Sequence, residues 1–556
     1  MITVADRQLR VETELLTAVF VDGFLTELTS RADGQSWLAP SERSGCALQL
    51  VYANQPPVEV VGPLAGSLSL RQVSPTRAEY RFAGWEADGL LTVSEDPASG
   101  QVLVEPAAYS SRPGVQAVRW RVPGWRGDLE LVAPFFQGVK LPLADPLLQR
   151  RWPWPMFWEA GLAIFAAPTD GGAWIHCQDT QYRYKALHIE GGQPAFETEA
   201  YGPLAASLGA GGLAWRLGVF EGDWRQPAGA YRAWLKAAYG LDRQRALRRP
   251  WQDEVRFAVS WYNGDPEILD ALAERLDPRR VLLHFSNWRT DAYDENYPTF
   301  TPSPAAVATI AKATAAGFHI MPHANSVDMD PSHPAYAWLR DFEYRDAVSR
   351  RRHGWAWDPV AGGVLGVPES NPNLVANRHR KVMIKVHPGL SMWRAMLGGA
   401  IAEGLAQAPT DAVFIDVTLC SGNLDNCLVE NTTSSEGMNR LIQHIQGLGD
   451  GLAVGGEGLN EITTQGLSFA QAHLYLSWHA SIDGLDRCGG CDLGDFLWGD
   501  LCRSFGYSGL GGRDDNEVLR MRIHAEHGAI PTVTVGSAAE IRQPNAAVKA
   551  ALEAAR

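Results

Sequence analysis

The chain has 556 residues, more than one hydrophobic core usually supports, so two or three domains are expected. Its 46% hydrophobic and 20% charged residues exclude a disordered polymer and fit an ordinary soluble globular protein. A net charge of −14 disfavours nucleic-acid binding, which needs clustered Lys and Arg, and suits a neutral or weakly charged ligand better.

The first residues, MITVADRQLRVETELLTAVF, alternate polar and apolar side chains and have neither the cationic start nor the apolar run of a signal peptide. No stretch reaches the ~20 apolar residues a bilayer crossing needs, so no membrane partner is expected and the location reads as cytoplasmic or otherwise soluble. Short alternating runs follow, among them CALQLVYA (46–53), AEYRFAGW (78–85), AVRWRVPG (117–124), GLAIFAAP (161–168) and LAWRLGVF (213–220). Gly, Pro, Asp and Ser punctuate them, as in an antiparallel sandwich. Residues 1–235 are therefore read as a large antiparallel β-sandwich. Helical spacing and a charged bridge make 236–253 a helical linker.

From 254 the period switches to alternating strands and helices, the pattern of parallel βαβ units. The segments 255–262, 280–288, 318–326, 411–418, 451–458, 473–481 and 530–536 read as strands. One helix is sharply marked by Ser303 as N-cap, Pro304 at its first position and Gly317 at its end. Seven strands against the eight of a closed barrel leave one to be found, within the excursion at 331–380 or between 485 and 512. The fold expected is thus a β-sandwich followed by a (β/α)8 TIM-type barrel over 254–540. An active-site loop insertion at about 331–380 and a C-terminal helix or tail at 541–556 complete it. Of the seven cysteines, Cys488 and Cys491 form a CxxC with no second pair, read as loop thiols or a local disulfide.

Reacting groups of such barrels lie at the C-terminal strand ends. Those positions hold Trp261, Tyr262, His284, Asn287, Trp288, His323, Asn325 and Asp328, then Asp416, Glu457, Trp478 and His479. Glu461 stands four residues beyond Glu457, and His387 lies in KVHPG. Asp416 is the sharpest of these, because Val413, Phe414 and Ile415 carry it straight out of a buried strand, where an unpaired carboxylate is costly. The bland alternative is a capping or salt-bridged Asp. Glu457 ends the next strand after two glycines that would let the backbone pass close to a ligand. Neighbouring parallel strands are ~4.8 Å apart, so the two carboxylates can converge as the nucleophile and acid/base of a retaining glycosidase. Glu461 is an alternative acid/base. Trp261, Trp288 and Trp478 would be sugar platforms or barrel packing. The amide, His and Asp side chains would bond sugar hydroxyls or simply be satisfied in place.

The strand-ending VFIDVT and GGEG, with helix 391–407 ahead of the first, resemble the endo-α-N-acetylgalactosaminidase families and their relatives among retaining α-glycosidases. At residue level the likeness spans about 380–465. It implies that the Asp ending the fourth barrel strand is the nucleophile and the Glu ending the fifth the acid/base. These positions correspond to Asp416 and Glu457. It also implies a carbohydrate substrate with an α-linked, galacto-type or N-acetylgalactosaminyl sugar; no cofactor and no metal are expected. Two other classes stand beside it. A metal-dependent barrel hydrolase needs converging His ligands, and a non-catalytic carbohydrate-binding protein would have kept the fold without the chemistry. No GxxxxGK[ST] or GxGxxG fingerprint points to a nucleotide.

Overall fold

The computed structural model describes all residues except 42–44, 54–57, 60–67, 85–86, 146–148, 357–363, 366–381, 474–488 and 507–516. Two compact units meet in the chain at Trp234/Leu235. Among the described residues, no helix is long and apolar enough to cross a membrane.

The first unit is antiparallel throughout its described pairings. A four-stranded meander (Ile2–Ala5, Gln8–Glu12, Leu16–Val21, Phe24–Ser30) precedes two larger sheets. One runs through Glu130–Ala133, Leu162–Ala166, Gly172–Cys177, Trp215–Phe220, Gln101–Ser110 and Ala87–Asp96 to Arg77–Ala83 and Leu68–Ser74. The other orders Gln149–Pro153, Lys185–Glu190, Gln193–Glu199, Val115–Arg121 and Leu48–Tyr52. Their facing sides supply the core expected of a sandwich. Phe196 of one sheet lies 5.0 Å from Trp215 of the other, centroid to centroid, and both are fully buried. Much of the chain's aromatic content is thus spent on packing.

The second unit opens with helices Leu241–Leu247 and Pro250–Glu254 and then forms the barrel. Its strands are β1 Phe257–Tyr262, β2 Val281–Phe285, β3 His319–Asn325, β4 Ala412–Asp416, β5 Ala453–Glu457, β6 Phe469–Ala472, β7 Arg503–Gly506 and β8 Thr532–Val533. Each pairs in parallel with its sequence neighbour from β1 to β7, and β8 pairs with β1. A parallel bridge between Phe505 and Ile530 closes the ring. The (β/α)8 expectation therefore holds, and the strand left to be found is β7, within 485–512. The sixth strand stands just ahead of the run at 473–481, most of which lies outside the described residues. β6 and β7 have only four residues each, too short for alternation to mark them.

Helices α1 Pro266–Ala273, α2 Pro304–Ala316, α3 Ser391–Gln407 and α4 Ser434–Gln446 follow the first four strands. The Ser303 hydroxyl caps α2 by accepting from the Ala306 N–H at 3.1 Å, and Gly317 ends it at φ 96°. Between β5 and β6 the crossover is only a 3-10 turn, Thr463–Gln465. The excursion after β3 carries a small sheet in which Val382–Lys385 pairs antiparallel with Asp328–Met329 and with Arg352–Ala356.

Inside the barrel the lower layers are apolar: Ala258, Leu282, Met321, Ala412, Phe414, Ala453, Phe469 and Phe505 form one buried cluster. The glycine pair before Glu457 has a packing cause. A Cβ on Gly455 would stand 2.7 Å from Met321 Sδ and 3.0 Å from the Phe414 ring, and one on Gly456 2.7 Å from Thr418 Oγ1. These glycines make room for protein, which corrects the expectation that they admit a ligand.

Candidate active site

Two residues further up each strand the inward positions turn polar. On β4 the inward series Ala412, Phe414 ends in Asp416, and on β5 Ala453, Gly455 ends in Glu457. Ile415 pairs with Gly456, so Asp416 and Glu457 stand side by side at one level, flanked by Asn325 on β3 and Gln471 on β6. Both carboxylates are buried, at 7% and 8% exposure. Their backbones are pinned: the Asp416 carbonyl accepts from the Ser326 N–H (3.0 Å) and hydroxyl (2.6 Å), and the Glu457 carbonyl accepts from the Thr418 hydroxyl at 2.6 Å. Val417, directly after Asp416, has φ 66°, a left-handed conformation that a β-branched residue enters only under constraint. The strand ends are thus preset relative to one another.

Burial, then the charges of Glu457, Asp328 and Asp294, push the Asp416 carboxyl well above the usual carboxylate range. Its Oδ2 faces the Tyr293 hydroxyl at 3.4 Å and His323 Nε2 at 3.8 Å, while Oδ1 has no hydrogen-bond partner among the described residues. The Glu457 Oε1 lies 3.6 Å from His473 Nε2, and burial takes that imidazole down to about 3, so it is neutral. Lys385 brings a cation to the mouth. Burial opposes its charge, but Asp328, whose Oδ1 accepts from Nζ at 2.7 Å, holds the ammonium above its ordinary value. The Cys420 thiol is pushed by burial up to about 12 and stays protonated.

The other residues singled out in the sequence separate into two groups. Trp261, His284 and His323 gather below Asp416, with ring centroids 5.0 Å (Trp261–His284) and 5.6 Å (Trp261–His323) apart. The cause is local: Trp261 has φ 56° and the β1–β2 register shifts between Val259 and Tyr262. That bulge brings Trp261 against the inward histidines and sends Tyr262 outward. Tyr262 is fully buried against Phe285 with its hydroxyl donating to the Asp265 carbonyl at 2.7 Å, a packing role. Trp288 is buried behind β3, donating from Nε1 to the His323 carbonyl at 2.6 Å, so it is no exposed platform. His387 is fully buried, with Nδ1 accepting from the Gly389 N–H and Nε2 facing the Cys427 carbonyl. It shapes the approach to α3 rather than the mouth.

Asn325 is consumed by its own turn. Its Oδ1 accepts from the Val327 and Asp328 N–H groups, and Nδ2 donates to Asp328 Oδ2 at 3.2 Å. Asp328 in turn holds Lys385. Asn287 is exposed and Glu461 is buried in the turn after β5, where its carbonyl accepts from Gln465 Nε2. Among the carboxylates that raise Asp416, Glu457 acts most strongly, ahead of Asp328 and Asp294. Trp478, His479 and Cys488 lie outside the described residues. Tyr293, Asp294, Lys385 and His473 were not singled out in the sequence. The acidic, aromatic stretch DAYDENYP (291–298) was a legible signal for the first two.

A metal-dependent hydrolase would need histidine lone pairs to spare, and His284 has both ring nitrogens engaged, Nδ1 by the Trp261 N–H and Nε2 by His323. The fold and mouth together define a (β/α)8-barrel protein with a large β-domain ahead of the barrel and paired acidic residues at the β4 and β5 ends. Solved structures share this layout. The alpha-N-acetylgalactosaminidase NagBb from Bifidobacterium bifidum matches with TM-score 0.68 at 14% identity, over 100% of this chain and 92% of that one. The same enzyme in its GalNAc complex matches with TM-score 0.68 at 13% identity, with the same coverage. An alpha-galactosidase from Thermus thermophilus matches with TM-score 0.50 at 11% identity, over 88% of this chain and 94% of that one. A family model described as a domain of unknown function, DUF6259, matches residues 213–438, a stretch that contains Asp416 and ends before Glu457. No curated protein sequence matches the chain.

Proposed function

We propose that this chain is a retaining glycoside hydrolase acting on α-linked galacto-type sugars, N-acetylgalactosaminides included. Asp416 is its nucleophile and Glu457 its acid/base. The observation that carries the reading is the pair of buried carboxylates at one level on adjacent strands, backbone-pinned, with the charge of Glu457 raising Asp416. Such a pair supports double displacement, which needs two carboxyl groups about 5–5.5 Å apart. The galacto-type preference is supported by neighbours of the same fold whose names are alpha-N-acetylgalactosaminidase and alpha-galactosidase.

In the first step Asp416, as the anion, attacks the anomeric carbon while Glu457 gives its proton to the departing oxygen. In the second, Glu457 takes a proton from water, whose oxygen displaces Asp416 and regenerates both groups. Two close, buried carboxyls resist double ionisation, so the resting pair keeps a proton. Catalysis requires that proton on Glu457; burial and like charge raise the Asp416 carboxyl, and the Tyr293 hydroxyl at its Oδ2 acts the other way, toward the anion. Trp261 and Tyr293 give the apolar faces against which a sugar ring can lie.

One observation favours a second reading with the roles exchanged, since a raised carboxyl is a natural acid. Azide rescue separates the two. Glu457→Ala with azide and an activated aryl α-galactoside or α-N-acetylgalactosaminide should yield the azide of retained configuration, and Asp416→Ala the inverted one. The opposite pattern assigns the exchanged roles. Wild type inactive on α- and β-glycoside panels, yet binding the monosaccharide, would make the chain a carbohydrate-binding protein instead.

A further inference from the structure

His284 and His323 form a pair whose proton positions follow from one backbone group. The Trp261 N–H can only donate, and it points at His284 Nδ1 at 3.4 Å, so Nδ1 is an acceptor. Burial takes the His284 imidazole down to about 3, so the ring is neutral and its single proton lies on Nε2. His284 Nε2 is 2.9 Å from His323 Nδ1, which must then accept. His323 is also held neutral, by burial and by its neighbours His284 and Arg289, so its proton in turn lies on Nε2. That nitrogen is buried, has no hydrogen-bond partner among the described residues, and is 3.8 Å from Asp416 Oδ2. Asp416 Oδ1 likewise has no hydrogen-bond partner among the described residues. A donor set by a backbone amide two side chains away therefore faces an under-bonded carboxylate across a gap that a small side-chain rotation closes.

We infer that His284 and His323 are positioning residues: a backbone-anchored imidazole relay that presents a fixed Nε2–H donor to Asp416 and steadies its anion for attack. The inference rests on the reading of Asp416 as nucleophile. The bulge at Trp261 acquires a purpose, because the N–H it presents to His284 starts the relay. Were the tautomers reversed, a ring lone pair would face the carboxylate and repel the charge the reaction requires.

The test compares wild type with His284→Gln, whose amide N–H can still donate to His323 Nδ1, and His284→Leu, which cannot. Imidazole 15N NMR of selectively labelled wild type should show both rings neutral with the proton on Nε2. With an aryl α-galactoside whose leaving group needs no acid assistance, His284→Leu should lower kcat about tenfold with little change in KM. His284→Gln should stay within about threefold of wild type. An Nδ1–H tautomer or a charged ring at His323 in the wild type overturns the relay, as does His284→Leu matching His284→Gln in kcat. Because the tautomers are read on resting protein, they judge the relay even if His284→Leu fails to fold. If azide stereochemistry removes Asp416 as nucleophile while the tautomers stand, the reading of the reaction has failed and the relay has not.

Discussion

Asp416→Asn should stabilise the barrel, and by an amount that grows with pH. Among the described residues the side chain has no hydrogen-bond partner at Oδ1 and only distant donors facing Oδ2, at 3.4 and 3.8 Å, against three acidic neighbours. Its folded-state carboxyl is raised, so its contribution to stability is fully present below the unfolded value of about 4 and is lost as pH climbs toward the folded value. While the folded carboxyl keeps its proton, each pH unit above about 4 costs the wild type up to about 1.4 kcal/mol. Asparagine keeps the shape and carries no proton equilibrium. The variant should match wild type near pH 4 and exceed it by a margin that widens as pH rises toward the folded value. Equilibrium urea unfolding followed by tryptophan fluorescence at several pH values measures the difference. A variant less stable than wild type at pH 7, or a difference independent of pH, would refute the argument.

Lys385→Met leaves Asp328 buried without its cation, and should cost about 3–5 kcal/mol and lower expression of folded protein, as calorimetry would show. Gly455→Ala drives a methyl into Met321 and the Phe414 ring, so a loss of about 1–3 kcal/mol is expected by urea titration, with Glu457 displaced and turnover reduced.

The strand-ending positions of Asp416 and Glu457 were legible because Val413–Ile415 and Ala453–Val454 are unbroken small or apolar runs, whereas their common level is set by the register that pairs Ile415 with Gly456. Residues beside them were harder to assign. Tyr262 and Trp261 are consecutive, and ordinary alternation cannot say which faces inward when a bulge falls between them. Trp288 and His387 carry polar atoms that satisfy backbone groups of β3 and of the loop before α3, partners that become near only on folding. Lys385 and Asp328 are 57 residues apart in the chain, and the small sheet of the excursion pairs them.

By itself the amino-acid sequence determined the two architectures, since a change from period-two alternation to βαβ spacing near residue 254 is a property of side-chain order. It also determined that buried strands would deliver carboxylates to the barrel mouth. Only the tertiary structure decided how those carboxylates are charged and held. Desolvation, like-charge repulsion and the facing of His323 toward Asp416 depend on distances between β2, β3, β4 and β5, and the ring closure from β8 to β1 is what brings those strands into one mouth.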